Sequence, residues 1–154
     1  MKSNIQKKSV TLMFPLYKDK KTVEKMILNS LKILKKVTKN YEIIAVDDGC
    51  PDRSGDIVKK FAKKNKKIKV FFQKKNIGYG AAIKTGFKKS KSDCIFAIDG
   101  DGEYDVNVLP KLLKKLENSD LVITRRHTKK YNTLRNIISW TYNLILRFLF
   151  NTTY

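Results

Sequence analysis

Cys94-Ile95-Phe96-Ala97-Ile98-Asp99-Gly100-Asp101-Gly102-Glu103-Tyr104-Asp105 joins a short apolar run to acids spaced by glycines. Cys94 to Ile98 predicts a strand buried on both faces, because an apolar run without alternation suits the interior of a parallel sheet. The acids begin where the strand stops. Asp99 and Asp101 are one residue apart, and strand alternation would point them to opposite sides. The glycines lift that constraint, since glycine reaches conformations that other residues avoid. Both carboxylates, with Glu103, can then turn toward one hard cation. A Mg²⁺ or Mn²⁺ ion held by one or two carboxylates keeps positions open for phosphate oxygens. The same residues also fit an acidic turn that caps the next helix through Asp105 or Asn107.

On either side of this stretch the chain alternates strand and helix. Val10 to Phe14 predicts a first strand closed by Pro15, which cannot continue a central ladder. Thr22 is placed to cap a helix to about Lys36, with Val23, Met26, Ile27, Leu31 and Leu34 at helical spacing. Tyr41 to Val46 predicts a second strand, ending in Asp47-Asp48-Gly49, with a turn and cap from Pro51, Asp52 and Ser54. A helix to about Lys64 buries Ile57, Val58 and Phe61. Ile68 to Phe72 predicts a third strand, and Ala81 to Ser90 a short helix. Beyond the acidic stretch, a helix over 107–117 turns Leu109, Leu112, Leu113 and Leu116 inward and tolerates Pro110 only in its first turn. Leu121 to Thr124 predicts a fifth strand. Five alternations imply an α/β fold with a mostly parallel sheet and helices on both faces. Ligands of such sheets bind beyond the carboxyl ends of the strands. The polar and glycine residues of this chain gather at those ends: Pro15 to Asp19, Asp47-Asp48, Asn76 to Gly80, Asp99 to Glu103, and Arg125.

The 154 residues suffice for one domain with a sizeable core, and 42% hydrophobic content is ordinary. The formal charge of +20 suggests an anionic partner, whether nucleic acid, lipid or phosphorylated substrate. The excess is nearly all lysine, spread through the helices without interleaved aromatics, so no nucleic-acid partner is expected. Lysine, asparagine and isoleucine abound together, as AT-rich coding DNA would produce. Cys50 and Cys94 form no C-x-x-C and read as buried free thiols, and the lone His127 argues against structural zinc. No apolar run follows the basic N-terminus, so no secretory signal is expected. No stretch approaches the roughly 20 apolar residues of a membrane-spanning helix.

Gly78-x-Gly80-x-x-Ile83 approaches a dinucleotide fingerprint, but its third position is isoleucine and it follows the third strand rather than the first. It reads equally as a plain turn into a helix, although glycines at a helix start also suit a nearby phosphate. The G-x-x-x-x-G-K-[ST] pattern is missing, which excludes a P-loop nucleotidase. No G-x-S-x-G elbow or nucleophile partner for His127 supports a hydrolase triad. Asp47-Asp48 suits hydrogen bonds from a nucleoside, or equally an Asx-turn.

Taken together, Pro15-x-Tyr17-x-Asp19, Asp47-Asp48-Gly-Cys-Pro-Asp52, Asn76-x-Gly78-x-Gly80-Ala-Ala-x-Lys84-x-Gly86-Phe, Asp99-Gly-Asp101-Gly-Glu103 and Arg125 resemble family 2 inverting glycosyltransferases of the GT-A (Rossmann-like) fold. The resemblance is nearest to the branch that moves a sugar onto polyprenyl phosphate, such as dolichyl-phosphate mannosyltransferase, and covers about residues 9–150. It implies that Pro15, Tyr17 and Asp19 line a nucleotide pocket and that Asp48, with Asp47 beside it, contacts base or ribose. Gly78, Gly80 and Lys84 join the substrate-binding positions. Asp99 and Asp101 match the catalytic D-x-D metal motif for Mg²⁺ or Mn²⁺, with Glu103 where relatives often carry a metal-joining Gln. Arg125 and Arg135 meet phosphates of donor or acceptor. The family's D-D-x-S becomes Asp47-Asp48-Gly-Cys50, and its G-S-R becomes Ile123-Thr124-Arg125.

The implied substrates are a nucleotide-diphosphate sugar and a polyprenyl (dolichyl or undecaprenyl) phosphate. The alternatives are transfer to a saccharide hydroxyl in cell-surface polysaccharide, or an inactive, truncated nucleotide-binding fragment. A phosphate acceptor is already ionised near neutral pH, whereas a sugar hydroxyl requires a general base. The expected organisation is a nucleotide-sugar-binding domain over 1–135 and an apolar amphipathic helix over 136–154. In that helix Asn136, Ser139, Asn143 and Arg147 form one narrow polar stripe. It reads either as the beginning of an acceptor region cut short at Tyr154, or as a surface lying on a membrane with Trp140 and Tyr142 at the headgroups. Such an arrangement implies a cytoplasmic protein at the cytoplasmic face of a membrane.

Overall fold

The computed structural model describes residues 8–102, 104–124 and 133–150, without the side chains of 135, 136 and 150. The chain falls into two compact units, Met1–Val122 and Ile123–Tyr154. The first holds strands β1 (Val10–Leu16), β2 (Tyr41–Asp47), β3 (Ile68–Phe72) and β4 (Cys94–Ala97). Helices α1 (Val23–Val37), α2 (Ser54–Lys64), α3 (Tyr79–Lys89) and α4 (Leu109–Lys115) alternate with them. The strands form one sheet in the order β3-β2-β1-β4, with every pair parallel.

Alternation along the two central strands divides the core. Leu12, Phe14 and Leu16 of β1 and Ile43 and Ala45 of β2 face α1, α2 and α4, where they meet Ile27, Leu34, Val58 and Leu109. Met13, Ile44 and Val46 face the opposite side, where Ala82 and Ile83 of α3 cover them. Helices thus lie on both faces, as the strand–helix alternation requires. On the second face α3 packs close, because Gly86 sits where a Cβ would collide with the thioether of Met13.

Pro15 does not close β1; the strand runs through it to Leu16, with Pro15 opposite Val46. The reason lies in which neighbour its missing N–H would face. Met13 O accepts from Ile98 N–H on the β4 side, and Leu16 O accepts from Asp48 N–H on the β2 side. Backbone groups alternate sides along a strand, so Pro15 lacks a donor only toward β4, where pairing has already ended. The β1–β4 ladder covers only Val10–Met13 and Cys94–Ala97.

β4 is not buried on both faces as its apolar run predicts. Among the described residues it pairs only with β1, and Ala97 is exposed. The expected fifth strand is also missing, since residues 121–124 adopt no regular structure. Leu121 and Ile123 are 73% and 81% exposed, so no buried face offsets the cost of fixing an edge strand. The predicted 107–117 helix is an α-helical core, Leu109–Lys115, between short 3-10 turns at Val106–Val108 and Leu116–Asn118. Asp105 caps its start by accepting from Asn107 N–H at 2.9 Å.

In the second unit, α5 spans Thr133–Phe150, starting one turn before the apolar run suggested. Trp140, Phe148 and Leu149 are exposed along it. Among the described residues no helix is long and apolar enough to cross a membrane.

Candidate functional site

Helices connect β1, β2 and β3 on one side of the sheet order and β4 on the other, so the order reverses between β1 and β4. That is where α/β sheets open a ligand crevice. The two strands part beyond Met13 and Ile98, and a cleft of about 410 Å³ opens at their ends. Pro15, Tyr17 and Asp19 line it from β1, Asp99 and Asp101 from β4, and Asp48 from β2. Gly78 and Tyr79, at the start of α3, form the remaining wall.

The two sides of the cleft are fastened together. A Cβ on Gly100 would lie 2.6 Å from Pro15 O and 2.9 Å from an oxygen of Asp19. Glycine is required there by close approach rather than by an unusual backbone angle. The positive φ falls on Gly102 instead. Thr22, expected to cap α1, makes no side-chain cap, and its hydroxyl instead reaches Gly100 O at 3.0 Å and Asp19 O at 3.1 Å. Asp99 and Asp101 thereby line one cleft despite their one-residue spacing.

The carboxylates feel one another. Burial pushes the Asp19 carboxyl above its ordinary value, and Asp101, Asp52 and Asp99 add to the rise against the Tyr17 N–H that stabilises it. That N–H donates to Asp19 Oδ2 at 2.9 Å. The Tyr79 hydroxyl donates to Asp99 Oδ1 at 3.0 Å, and burial together with this bond pushes its pKa up to about 12. The donors offered at the β4 end are carboxylate oxygens, which suit Mg²⁺ or Mn²⁺ rather than a thiophilic ion. Among the described residues no group of three or more such side chains stands ready to cage a metal. The two carboxylates Asp99 and Asp101 that line the cleft would suit an ion that completes its shell with phosphate oxygens and water.

The two acids of β2 have separate tasks. Asp47 is buried, and its carboxylate accepts from Cys50 N–H at 2.8 Å and Gly55 N–H at 2.9 Å. It closes the turn into α2 and does not line the cleft. Asp48 reaches the cleft while accepting from Ile77 N–H and Gly78 N–H, both at 2.9 Å. The amide of Gln73, oriented to satisfy both its ends, adds a donor to Asp48 at 2.8 Å. The Cys50 thiol donates to Leu16 O at 3.0 Å. Gly80 and Lys84 are exposed on α3 and do not line the cleft. Glu103, Arg125 and the side chain of Arg135 lie outside the described residues.

Residues 11–153 match the family model described as glycosyl transferase family 2. The chain belongs to glycosyl transferase family 2. It is 29% identical over 143 residues to the undecaprenyl-phosphate 4-deoxy-4-formamido-L-arabinose transferase of Photorhabdus laumondii, covering 92% of this chain and 44% of that protein. It is 32% identical over 124 residues to the dolichol-phosphate mannosyltransferase of Pyrococcus furiosus, covering 78% of this chain and 34% of that protein. The chain thus spans less than half the length of these relatives. Among solved structures it resembles the mannosyltransferase PcManGT of Pyrobaculum calidifontis in complex with GDP-Man and Mn²⁺ (TM-score 0.64, 17% identity, 73% of this chain and 33% of that one). S. aureus TarS in complex with UDP-GlcNAc is similar (TM-score 0.61, 22% identity, 81% of this chain and 36% of that one). These likenesses establish the GT-A-like α/β fold.

Within this family 2 chain, the sequence reading missed three residues that shape the cleft. Thr22 looked like a helix cap, yet it joins the β1 and β4 loops. Gln73 directly follows the third strand and carried no motif, yet its amide meets Asp48. Tyr79 sits between Gly78 and Gly80, and its aromatic ring among glycines at a helix start was the one available signal.

Proposed function

We propose that this chain carries the donor-binding part of a metal-dependent, inverting glycosyltransferase that moves a sugar from a nucleotide diphosphate to polyprenyl phosphate. The observation that carries this reading is the convergence of Asp19, Asp99 and Asp101 where β1 and β4 part. Membership of family 2 and the printed activities of the undecaprenyl- and dolichol-phosphate relatives support it. Residues 1–135 would form the nucleotide-sugar domain. Residues 136–154 would meet the membrane that holds the acceptor, at its cytoplasmic face.

In this scheme Tyr17 and Asp19 hold the nucleotide, and Asp48 keeps the loop at Gly78 in place beside it. Asp99 and Asp101 would hold Mg²⁺ or Mn²⁺, which when bound neutralises charge on the departing diphosphate. An oxygen of the acceptor phosphate attacks the anomeric carbon, and the nucleoside diphosphate leaves with the electron pair of the broken C–O bond. The configuration inverts. The phosphate nucleophile needs no strong base from the protein.

Calorimetric titration of UDP and GDP, each with Mn²⁺ or with EDTA, tests the donor site. Binding should depend on the ion, and Asp101→Asn should remove the dependent part. Equal affinity with and without metal overturns the assignment of Asp99 and Asp101. Transfer from radiolabelled UDP-glucose, UDP-N-acetylglucosamine or GDP-mannose to polyprenyl phosphate or to a saccharide separates the two acceptor classes.

A further inference from the structure

Tyr79 belongs to no part of the scheme above, yet its side chain joins the α3 wall of the cleft to the β4 wall. Its hydroxyl donates to Asp99 Oδ1 at 3.0 Å. The direction of that bond decides what else the phenol can do. A carboxylate only accepts, so the single phenolic proton is committed to Asp99. What the phenol offers to the cleft is an oxygen lone pair. An acceptor does not recognise a phosphate oxygen, which is itself an acceptor; it recognises an O–H or N–H.

The surroundings favour an incoming ligand. Tyr79 is 61% exposed while lining the cleft. Gly78 has a φ of 105°, which a side chain would strain.

We infer that Tyr79 is a specificity residue that accepts a hydrogen bond from a hydroxyl of the nucleotide sugar, on the ribose or on the transferred sugar, while it donates its own proton to Asp99. This inference rests on the donor-binding reading above. Asp99 and Tyr79 then act as one unit, the carboxylate fixing which way the phenol presents its oxygen.

The test uses the full chain and Tyr79→Phe, which keeps the ring and removes only the hydroxyl. Each protein is titrated with Mn²⁺ against inorganic diphosphate, UDP and GDP, their 2′-deoxy and 3′-deoxy forms, UDP-glucose and GDP-mannose. The expected result is a loss of about three- to tenfold in affinity for the ligand that carries the hydroxyl, the range of a neutral hydrogen bond. Inorganic diphosphate should bind both proteins alike. A ribose contact weakens UDP or GDP but spares the matching deoxy form, whereas a sugar contact weakens only the nucleotide sugar. Equal weakening of every ligand, inorganic diphosphate included, overturns the inference, because the phenol then merely supports Asp99. So does unchanged affinity for all of them. If the wild-type chain binds UDP or GDP but lacks this pattern, only the role of Tyr79 falls. If it binds no nucleotide at all, the donor-binding reading falls and takes the inference with it.

Discussion

Gly100 and Pro15 stand so close that a Cβ on the glycine would lie 2.6 Å from the proline carbonyl oxygen. The contact joins the ends of β4 and β1, and both acids of the Asp99-Gly-Asp101 stretch depend on it. A backbone oxygen cannot swing away as a side chain can. Gly100→Ala should therefore cost about 1–3 kcal/mol, the usual range for overpacking a tight site. Urea denaturation measures the loss, and nucleotide titration of the folded fraction should reveal weaker donor binding. A variant as stable as the wild type would mean that the two loops separate freely.

Asp47→Asn should damage stability more than donor affinity. Both Asp47 oxygens accept backbone N–H groups, from Cys50 and Gly55, in a buried turn. An asparagine amide turns one acceptor into a donor that faces a donor. The expected loss is about 1–3 kcal/mol, the cost of leaving a buried polar group unsatisfied. Thermal denaturation reads the first quantity and calorimetry on folded protein the second. A large fall in nucleotide affinity with unchanged Tm would instead give Asp47 a direct ligand contact.

Asp47 and Asp48 also mark the limit of what could be read from the sequence. Strand β2 ended in two acids, so its carboxyl end was legible as a polar site, and the parallel sheet followed from the alternation of strand and helix. Which acid faces the turn and which the cleft depends on Gly55 and Ile77, residues 8 and 29 positions away along the chain. Local pattern carries no such information. Pro15 is a similar case: its effect on β1 depends on where β4 stops pairing, a relation over more than 80 residues that no propensity encodes. That β4 pairs with β1 alone among the described residues was hidden for the same reason, because an apolar run reports burial of side chains without naming the neighbour that supplies it.

Asp19→Asn should stabilise the chain at neutral pH in the absence of divalent ions. Burial comes first among the causes that raise the Asp19 carboxyl, followed on the raising side by Asp101, Asp52 and Asp99. A carboxyl whose folded pKa exceeds its unfolded value binds a proton more tightly in the folded state. Its contribution therefore declines as pH rises above the ordinary 3.8 and is lost beyond the raised value. The neutral amide escapes that decline while its oxygen can still accept from Tyr17 N–H. Tm measured against pH should fall less steeply above 3.8 for the variant than for the wild type. Identical profiles would remove Asp19 as a source of strain in the cleft.

Residues of α5 should bind lipid through apolar burial rather than charge alone. Phe148 is 89% exposed, and Trp140, Leu134 and Leu149 are each more than half exposed. Such a helix, with its tryptophan and tyrosine, suits the boundary between headgroups and acyl chains. The chain also carries a net charge of +20, so attraction to anionic vesicles is expected whatever α5 does. Salt separates the two contributions. At 1 M ionic strength the screening length falls to about 3 Å, which suppresses attraction by the lysines. Burial of apolar surface persists there. Flotation with vesicles of phosphatidylglycerol and phosphatidylcholine should therefore retain the wild-type chain at high salt. Phe148→Asp, which changes the net charge by a single unit, should be released under the same conditions. Release of both proteins alike at high salt would leave only electrostatic attraction and would remove α5 as the membrane-facing element.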